Sequence, residues 1–393
     1  MNISLNFLQI NSISKSPFFI PSITSKNALF TISNSHFQKS TSNVIYSNTQ
    51  LTQYSILKSL FIQFASRCLT FNSNYSFNYS FHSRTIPINS FSLIEDCKFI
   101  NIHFNESNGG ALYSLMPIII KDCIFQNCSG NKGGAIHSRN TLQILSTLII
   151  NCQATTGACF FVDESKNLSV NFSSLLFSSA NVDGSFYIEK TQYSDIQNAN
   201  ISGSFAFTQN GIGELESSKI FFAFVEFSNS SAKDRNSGLS FWGKTNFTIE
   251  YCRFEFIQCL EEVQPSAAAI WLDDERISGT IQNCDFDDTG FDFDGFSIYV
   301  NCAKHIYITG CVFSYSFARF LNDQNSVSSL NNNDFNSMKF LLNLSQISYG
   351  NMKKNVNIKI YPVRVIFVFG VIVCVFMIFI ELMWKFSKRF HKK

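Results

Sequence analysis

The sequence predicts an all-β fold: a right-handed parallel β-helix of about twelve coils of 22–32 residues, followed by one transmembrane helix. Three observations predict it. A short motif recurs at that period. The segments between its copies alternate apolar and polar residues with no sustained 3.6-residue stripe before residue 363. One long uncharged stretch stands near the C-terminus.

The motif is Ile-x-x-Cys-x-Phe. It occurs as Ile94–Phe99, Ile120–Phe125, Ile249–Phe254, Ile281–Phe286 and Ile308–Phe313. Cys97, Cys123, Cys252, Cys284 and Cys311 take its centre, and Phe99, Phe125, Phe254, Phe286 and Phe313 its end. Looser copies fill the gap after Cys123: Ile144-x-x-Thr147-x-Ile149, Val170-x-x-Ser173-x-Leu175, Ile196-x-x-Ala199-x-Ile201 and Ile220-x-x-Ala223-x-Val225. Ile32-x-x-Ser35-x-Phe37, Ile56-x-x-Ser59-x-Phe61 and Leu330-x-x-Asn333-x-Phe335 extend the series at both ends. The interval from Ser59 to Cys97 is 38 residues and marks an insertion near residues 70–90. Helical repeats lack their helices here, and the leucine-rich framework is missing. A parallel β-helix stacks like on like at ~4.8 Å, so Ile, Cys and Phe are expected as internal ladders.

A second marker follows about ten residues later, Gly109-Gly110-Ala111-Leu112 and then Gly133-Gly134-Ala135-Ile136. Gly157-Ala158-Cys159-Phe160 and Gly238-Leu239-Ser240-Phe241 read as eroded copies. The glycine pairs are expected at a sharp turn or at positive φ, with the following residues opening the next inward strand.

Composition narrows the function classes. Lys and Arg number 30 against 28 Asp and Glu, a net charge of +2, which excludes a strongly basic nucleic-acid binder. Hydrophobic residues are 45%, which argues for a large core, and charged residues only 15%, so Ser and Asn must wet the surface. The chain has 44 Phe, so many rings must stack inside.

Five of the 12 cysteines share one ladder position that also takes Ser, Thr and Ala. That interchange favours inert packing of a small side chain over a disulfide between neighbours such as Cys97 and Cys123. No CxxC pair is present, and no metal or cofactor is expected. The acidic residues Asp273, Asp274, Asp285, Asp287, Asp288, Asp292 and Asp294 are candidates for paired-carboxylate chemistry or for calcium. They read as solvated turn residues, and no catalytic residue is assigned.

Residues 1–26 read as a degraded or truncated N-terminal coil, 27–345 as the β-helix, 346–362 as a juxtamembrane linker, 363–384 as the transmembrane helix and 385–393 as a basic cytoplasmic tail. Val365–Ile380 holds no charge, and Val365–Trp384 as a helix is ~30 Å long, the thickness of a bilayer core. Trp384 suits the interface, and the basic tail places itself on the cytoplasmic side. The β-helix is then extracellular, in keeping with N-x-S/T triplets such as Asn105, Asn229 and Asn246. Residues 1–26 lack a signal-peptide pattern. The expectation is an upstream start, with a tail-anchored protein facing the cytosol as the competing reading.

Phe99-Ile100-Asn101 before Gly109-Gly110-Ala111-Leu112, and Phe125-Gln126-Asn127 before Gly133-Gly134-Ala135-Ile136, resemble the polymorphic outer-membrane protein repeat. The spacing here is F-x-N where the family has F-x-x-N. A single helix in place of a terminal β-barrel looks like the single-span surface proteins of parasitic protists that carry such repeats. The resemblance implies adhesion or host contact and carries over no catalytic residue. The expected function is therefore a single-pass plasma-membrane protein displaying a β-helix for adhesion or recognition. Its expected partners are the membrane, surface glycans or host proteins, and not nucleic acid. The alternative is a membrane-tethered carbohydrate-active enzyme.

Overall fold

The computed structural model describes residues 2–20, 28–47, 52–72, 91–289 without 107, 234–235 and 261–266, and 296–335 without 304, 315–326 and 332. Over these residues the chain is an all-β parallel solenoid. Each turn carries three strands. In one turn the first face is Ser92–Glu95, the second Lys98–Phe104 and the third Leu112–Ser114. The next turn repeats them as Ile118–Lys121, Ile124–Lys132 and Ile136–Ser138, each pairing in parallel with its predecessor. On the second face one unbroken series of strands runs from Gln9–Asn11 to Asp334–Phe335. In two turns a single long strand, Phe186–Gln197 or Gly213–Ala223, spans both the third face and the first face of the following turn. The N-terminal segment joins the same stack, with Leu5 beside Ile32 and Ile10 beside Phe37. Among the described residues no helix is long and apolar enough to cross a membrane. The predicted linker 346–362, span 363–384 and tail 385–393 lie outside them, as do residues 73–90, most of the predicted insertion.

Every position of the motif has a mechanical reason. The Ile closes the first face pointing inward, and Ile94, Ile120, Ile249, Ile281 and Ile308 are all fully buried. The second x is the corner. Asp96, Asp122, Tyr251, Asn283 and Gly310 all take left-handed φ, between 52° and 65°. The looser copies do the same at Asn34, Lys58, Ser146, Phe172, Asn198 and Phe224. Asn and Asp tolerate this conformation best among side-chain-bearing residues, which is why they recur there. The Cys and Phe then point back inward on the second face, and all ten named ladder residues are at most 2% exposed. The rings form runs at a near-constant step: Phe61, Phe99 and Phe125 at 4.7 and 4.6 Å, and Phe254, Phe286 and Phe313 at 4.8 and 4.7 Å, all within 8° of parallel. Each such pair adds about 0.5–1.5 kcal/mol beyond its buried area.

The left-handed corner also explains why Cys, Ser, Thr and Asn interchange. It makes two successive backbone N–H groups point at the same neighbouring turn. The Lys58 N–H takes the Glu95 carbonyl at 2.9 Å, and the Ser59 N–H takes the Cys97 sulfur at 3.4 Å. The same exchange recurs from Leu8 to Ser35 Oγ, Ser35 to Ser59 Oγ, Cys123 to Thr147 Oγ1 and Thr147 to Ser173 Oγ, at 3.1–3.4 Å. Near the C-terminal end, Cys311 N–H uses Asn333 Oδ1 at 2.9 Å. The accepting hydroxyl or thiol donates its own proton to the carbonyl two residues back, as Thr147 does to Leu145 and Cys123 to Lys121. The ladder position therefore needs a small side chain with a heteroatom. Leu8 in the first turn, Ala199 and Val225 are its apolar exceptions. The described cysteines are free thiols, and burial pushes Cys123, Cys284 and Cys311 well above the usual thiol range.

Two alignments read from sequence are corrected by the register. The copy at Ile220-x-x-Ala223-x-Val225 is in fact Phe222-x-x-Val225-x-Phe227, because Phe222 pairs with Ile249 and Phe227 with Phe254. Ile220 and Phe222 both face inward, and a period of two leaves sequence blind to a slip of two. Likewise Leu239 pairs with Gly213, so Gly238 stands where Ala111 stands and not at the Gly109 position.

Gly109 and Gly133 take φ of +72° and +70° at the turn into the third face. Gly110 and Gly134 are required for closeness instead: a Cβ on either would lie 2.0 or 2.3 Å from a carbonyl oxygen of the next turn.

Denaturant unfolding of the full chain tests the corner. Thr147→Val, isosteric but without the acceptor, is expected to lose about 1–3 kcal/mol. Thr147→Ser keeps the hydroxyl and loses only about 0.8 kcal/mol for its methyl. Phe125→Ala, which opens a gap in the ring stack, is expected to lose about 3–5 kcal/mol. A Val variant as stable as the Ser variant would remove the hydrogen-bonding account of the ladder.

Candidate functional site

The glycine corner delivers the chain to the third face, where the residue after each inward-facing Leu112, Ile136 or Phe160 points outward. Strand register stacks these outward residues into a column that runs Thr70, Tyr113, His137, Phe161, Tyr187 and Glu214. Ring centroids step by 5.1 Å from Tyr113 to His137, 5.0 Å to Phe161 and 4.8 Å to Tyr187. An outward column is normally wet, yet His137 is 2% and Phe161 1% exposed.

The cover comes from the preceding corner. The glycine turn of one coil lies over the outward residue of the next, so a Cβ on Gly109 would stand 3.2 Å from His137 Cβ. The long second-face strand ends at Lys132, whose Nζ lies 4.6 Å above the Phe161 ring. The Arg67 guanidinium lies 4.8 Å above Tyr113 and 5.5 Å from Phe104. Contacts of this kind are worth about 0.5–2 kcal/mol each, more as water is excluded. Neither Arg67 nor Lys132 has a carboxylate partner among the described residues, whereas the nearby Arg139 is paired with Asp163 and Glu164. Both nitrogens of His137 and the Nε of Arg67 are buried without a hydrogen-bond partner. Burial, then the charges of Lys132, Arg139 and Arg67, push His137 down to about 3, so the imidazole is neutral.

The opposite end of the column is acidic. Asp183 occupies the position of Gly157 one turn later and is fully buried. One amide holds two carboxyls: Asn210 Nδ2 donates to Asp183 Oδ1 at 2.8 Å and to Glu214 Oε2 at 2.9 Å. Asn236 continues the ladder by donating to Asn210 Oδ1 at 3.2 Å. Burial, with Glu214 alongside, pushes Asp183 up to about 8, and burial also raises Glu214. Asp183 therefore carries a proton at neutral pH.

Among the described residues, the acidic residues singled out from sequence form no single cluster. Asp285 and Asp287 lie outward on the second face against Arg253, at 3.7 Å each. Asp273 and Asp274 follow the third-face strand, where Asp274 is clasped by Arg276. Asp292 and Asp294 lie outside the described residues. Among the described residues no group of three His, Cys, Asp or Glu is placed to hold a metal ion. The predicted Cys and Phe ladders are interior and the predicted glycines build the corner, so none of them forms an exterior site. The outward column was missed. Its signal was the residue after each glycine marker: Tyr113, His137 and Phe161. No protein-family model matches the chain, and no curated protein matches its sequence.

Stability against pH tests the acidic end. Asp183 is protonated when folded up to about pH 8 and loses its proton near 4 when unfolded. Its contribution is full below about pH 4 and is lost as pH rises through 8. His137 has the opposite sign, contributing fully above about 6.5 and losing ground as pH falls towards 3. Between about pH 6.5 and 8 only Asp183 of the two changes charge, so the melting temperature is expected to fall across that window. Asp183→Asn is expected to flatten the fall; an unchanged slope would place the titrating group elsewhere.

Proposed function

We propose that this chain is a cell-surface, single-pass membrane protein that displays its solenoid for adhesion or recognition. The observation that carries the reading is the outward column of the third face. Desolvated rings are stacked at a fixed step there, with two cations laid over them that have no carboxylate partner among the described residues, on the exterior of an otherwise Ser- and Asn-rich rod. A repeated exterior of this kind suits shallow recognition along its length. The resemblance to the polymorphic outer-membrane protein repeat supports the same role. So does the uncharged Val365–Ile380 run before a basic tail, which supports anchoring in the plasma membrane with the solenoid outside. The carbohydrate-active enzyme alternative needs carboxylates that reach a substrate. Asp183 is enclosed, and Asp285 and Asp287 are drawn onto Arg253.

Epitope accessibility tests the topology. A tag inserted within residues 73–90 is expected to stain intact cells, and a C-terminal tag only permeabilised ones. Staining of neither until the cells are opened would end the surface reading.

A further inference from the structure

We propose that the strip of the third face between Arg67 and Lys132 binds the anionic groups of a linear acidic glycan. The inference rests on the recognition reading above and names its ligand class. An exposed lysine without a partner is ordinary; these two cations differ in being held flat against rings of the outward column, at 4.8 Å from Tyr113 and 4.6 Å from Phe161. Tyr113 and Phe161 are two turns apart, with His137 between them. The cations therefore stand ~10 Å apart along the rod axis, two strand spacings. A disaccharide of an extended acidic polysaccharide advances by a similar distance, so every second sugar would present its carboxylate or sulfate to a cation.

His137 between the cations is 2% exposed and both its ring nitrogens are enclosed, so a ligand on this strip meets the cations and not the imidazole. Two cations without carboxylate partners among the described residues match one kind of occupant, an oxyanion that accepts hydrogen bonds from both. The half-buried rings of Tyr113 and Phe104 offer apolar edges to the sugar faces. Other charged side chains along this edge are already neutralised: Arg139 by Asp163 and Glu164, and Lys190 by Glu189. With two unpaired cations in the strip among the described residues, a densely charged nucleic acid is a poor match.

The test uses the purified full chain in detergent, so its outcome is independent of topology on cells. The probes are polygalacturonate (carboxylate only), dextran sulfate (sulfate only) and neutral dextran. Binding to at least one polyanion and not to neutral dextran is expected, and which polyanion binds identifies the anionic group. Arg67→Gln and Lys132→Gln are each expected to weaken that binding about tenfold. Lys98→Gln, an exposed lysine on the second face, is expected to leave it unchanged. Should Arg67→Gln lower the melting temperature, Lys132→Gln alone decides. Absence of binding to both polyanions, or equal binding by wild type and Lys132→Gln, overturns the proposal. Surface staining of the tagged chain would then still stand, so the two readings fail separately.

Discussion

The left-handed corner between the first and second faces is the constraint on which the rest of the solenoid depends. It turns the chain within one residue, and the turn sends two consecutive N–H groups towards the same neighbouring coil. One finds a backbone carbonyl; the other is left to a side chain. A hydroxyl, thiol or amide at the ladder position of the next coil supplies that acceptor, and the corner is repeated because each coil completes the one before it. An unpaired buried N–H costs about 1–3 kcal/mol, so a run of corners without acceptors would undo much of a typical domain's net stability. The apolar Ala199 and Val225 lie together in the middle of the rod, where the long strands Phe186–Gln197 and Gly213–Ala223 add pairing across the neighbouring corner.

Once the corners fix the register, like residues must stack on like, and the sequence bias towards Phe becomes an asset. Rings one turn apart are held at the strand spacing, which is also a favourable stacking distance. The same geometry acts on the outside. A Tyr, a His and a Phe at equivalent positions of three coils become a continuous exterior column, although 24 residues separate each from the next in sequence. The glycine corners at Gly109, Gly133 and Gly157 then cover the rings of that column, where a Cβ would meet the neighbouring turn. Exterior chemistry here is a by-product of interior order.

The charge pattern along the third face follows from burial as much as from residue type. Arg67 and Lys132 lie over π-faces, His137 stays neutral among them, and Asp183 keeps its proton beside Glu214. The column thus passes from a cationic end to an end where a carboxyl is neutral, without requiring an ion pair between the two ends.

The sequence by itself determined the architecture. The Ile-x-x-Cys-x-Phe period fixes a parallel solenoid with Ile, Cys and Phe inside, because only three inward positions around a corner keep that spacing, and the glycine markers fix the second bend. Its reach ended where period-two alternation is ambiguous, so the Phe222–Val225–Phe227 copy was read two residues early. It also ended at polarity: interchange of Cys with Ser and Thr read as small size, because the N–H that needs the heteroatom belongs to a residue one turn away. Only the tertiary structure decided what the exterior does. Arg67 and Lys132 are 65 residues apart in sequence, and only winding the chain brings both over one stack of rings. Burial there, which no composition reports, sets the protonation of His137 and Asp183.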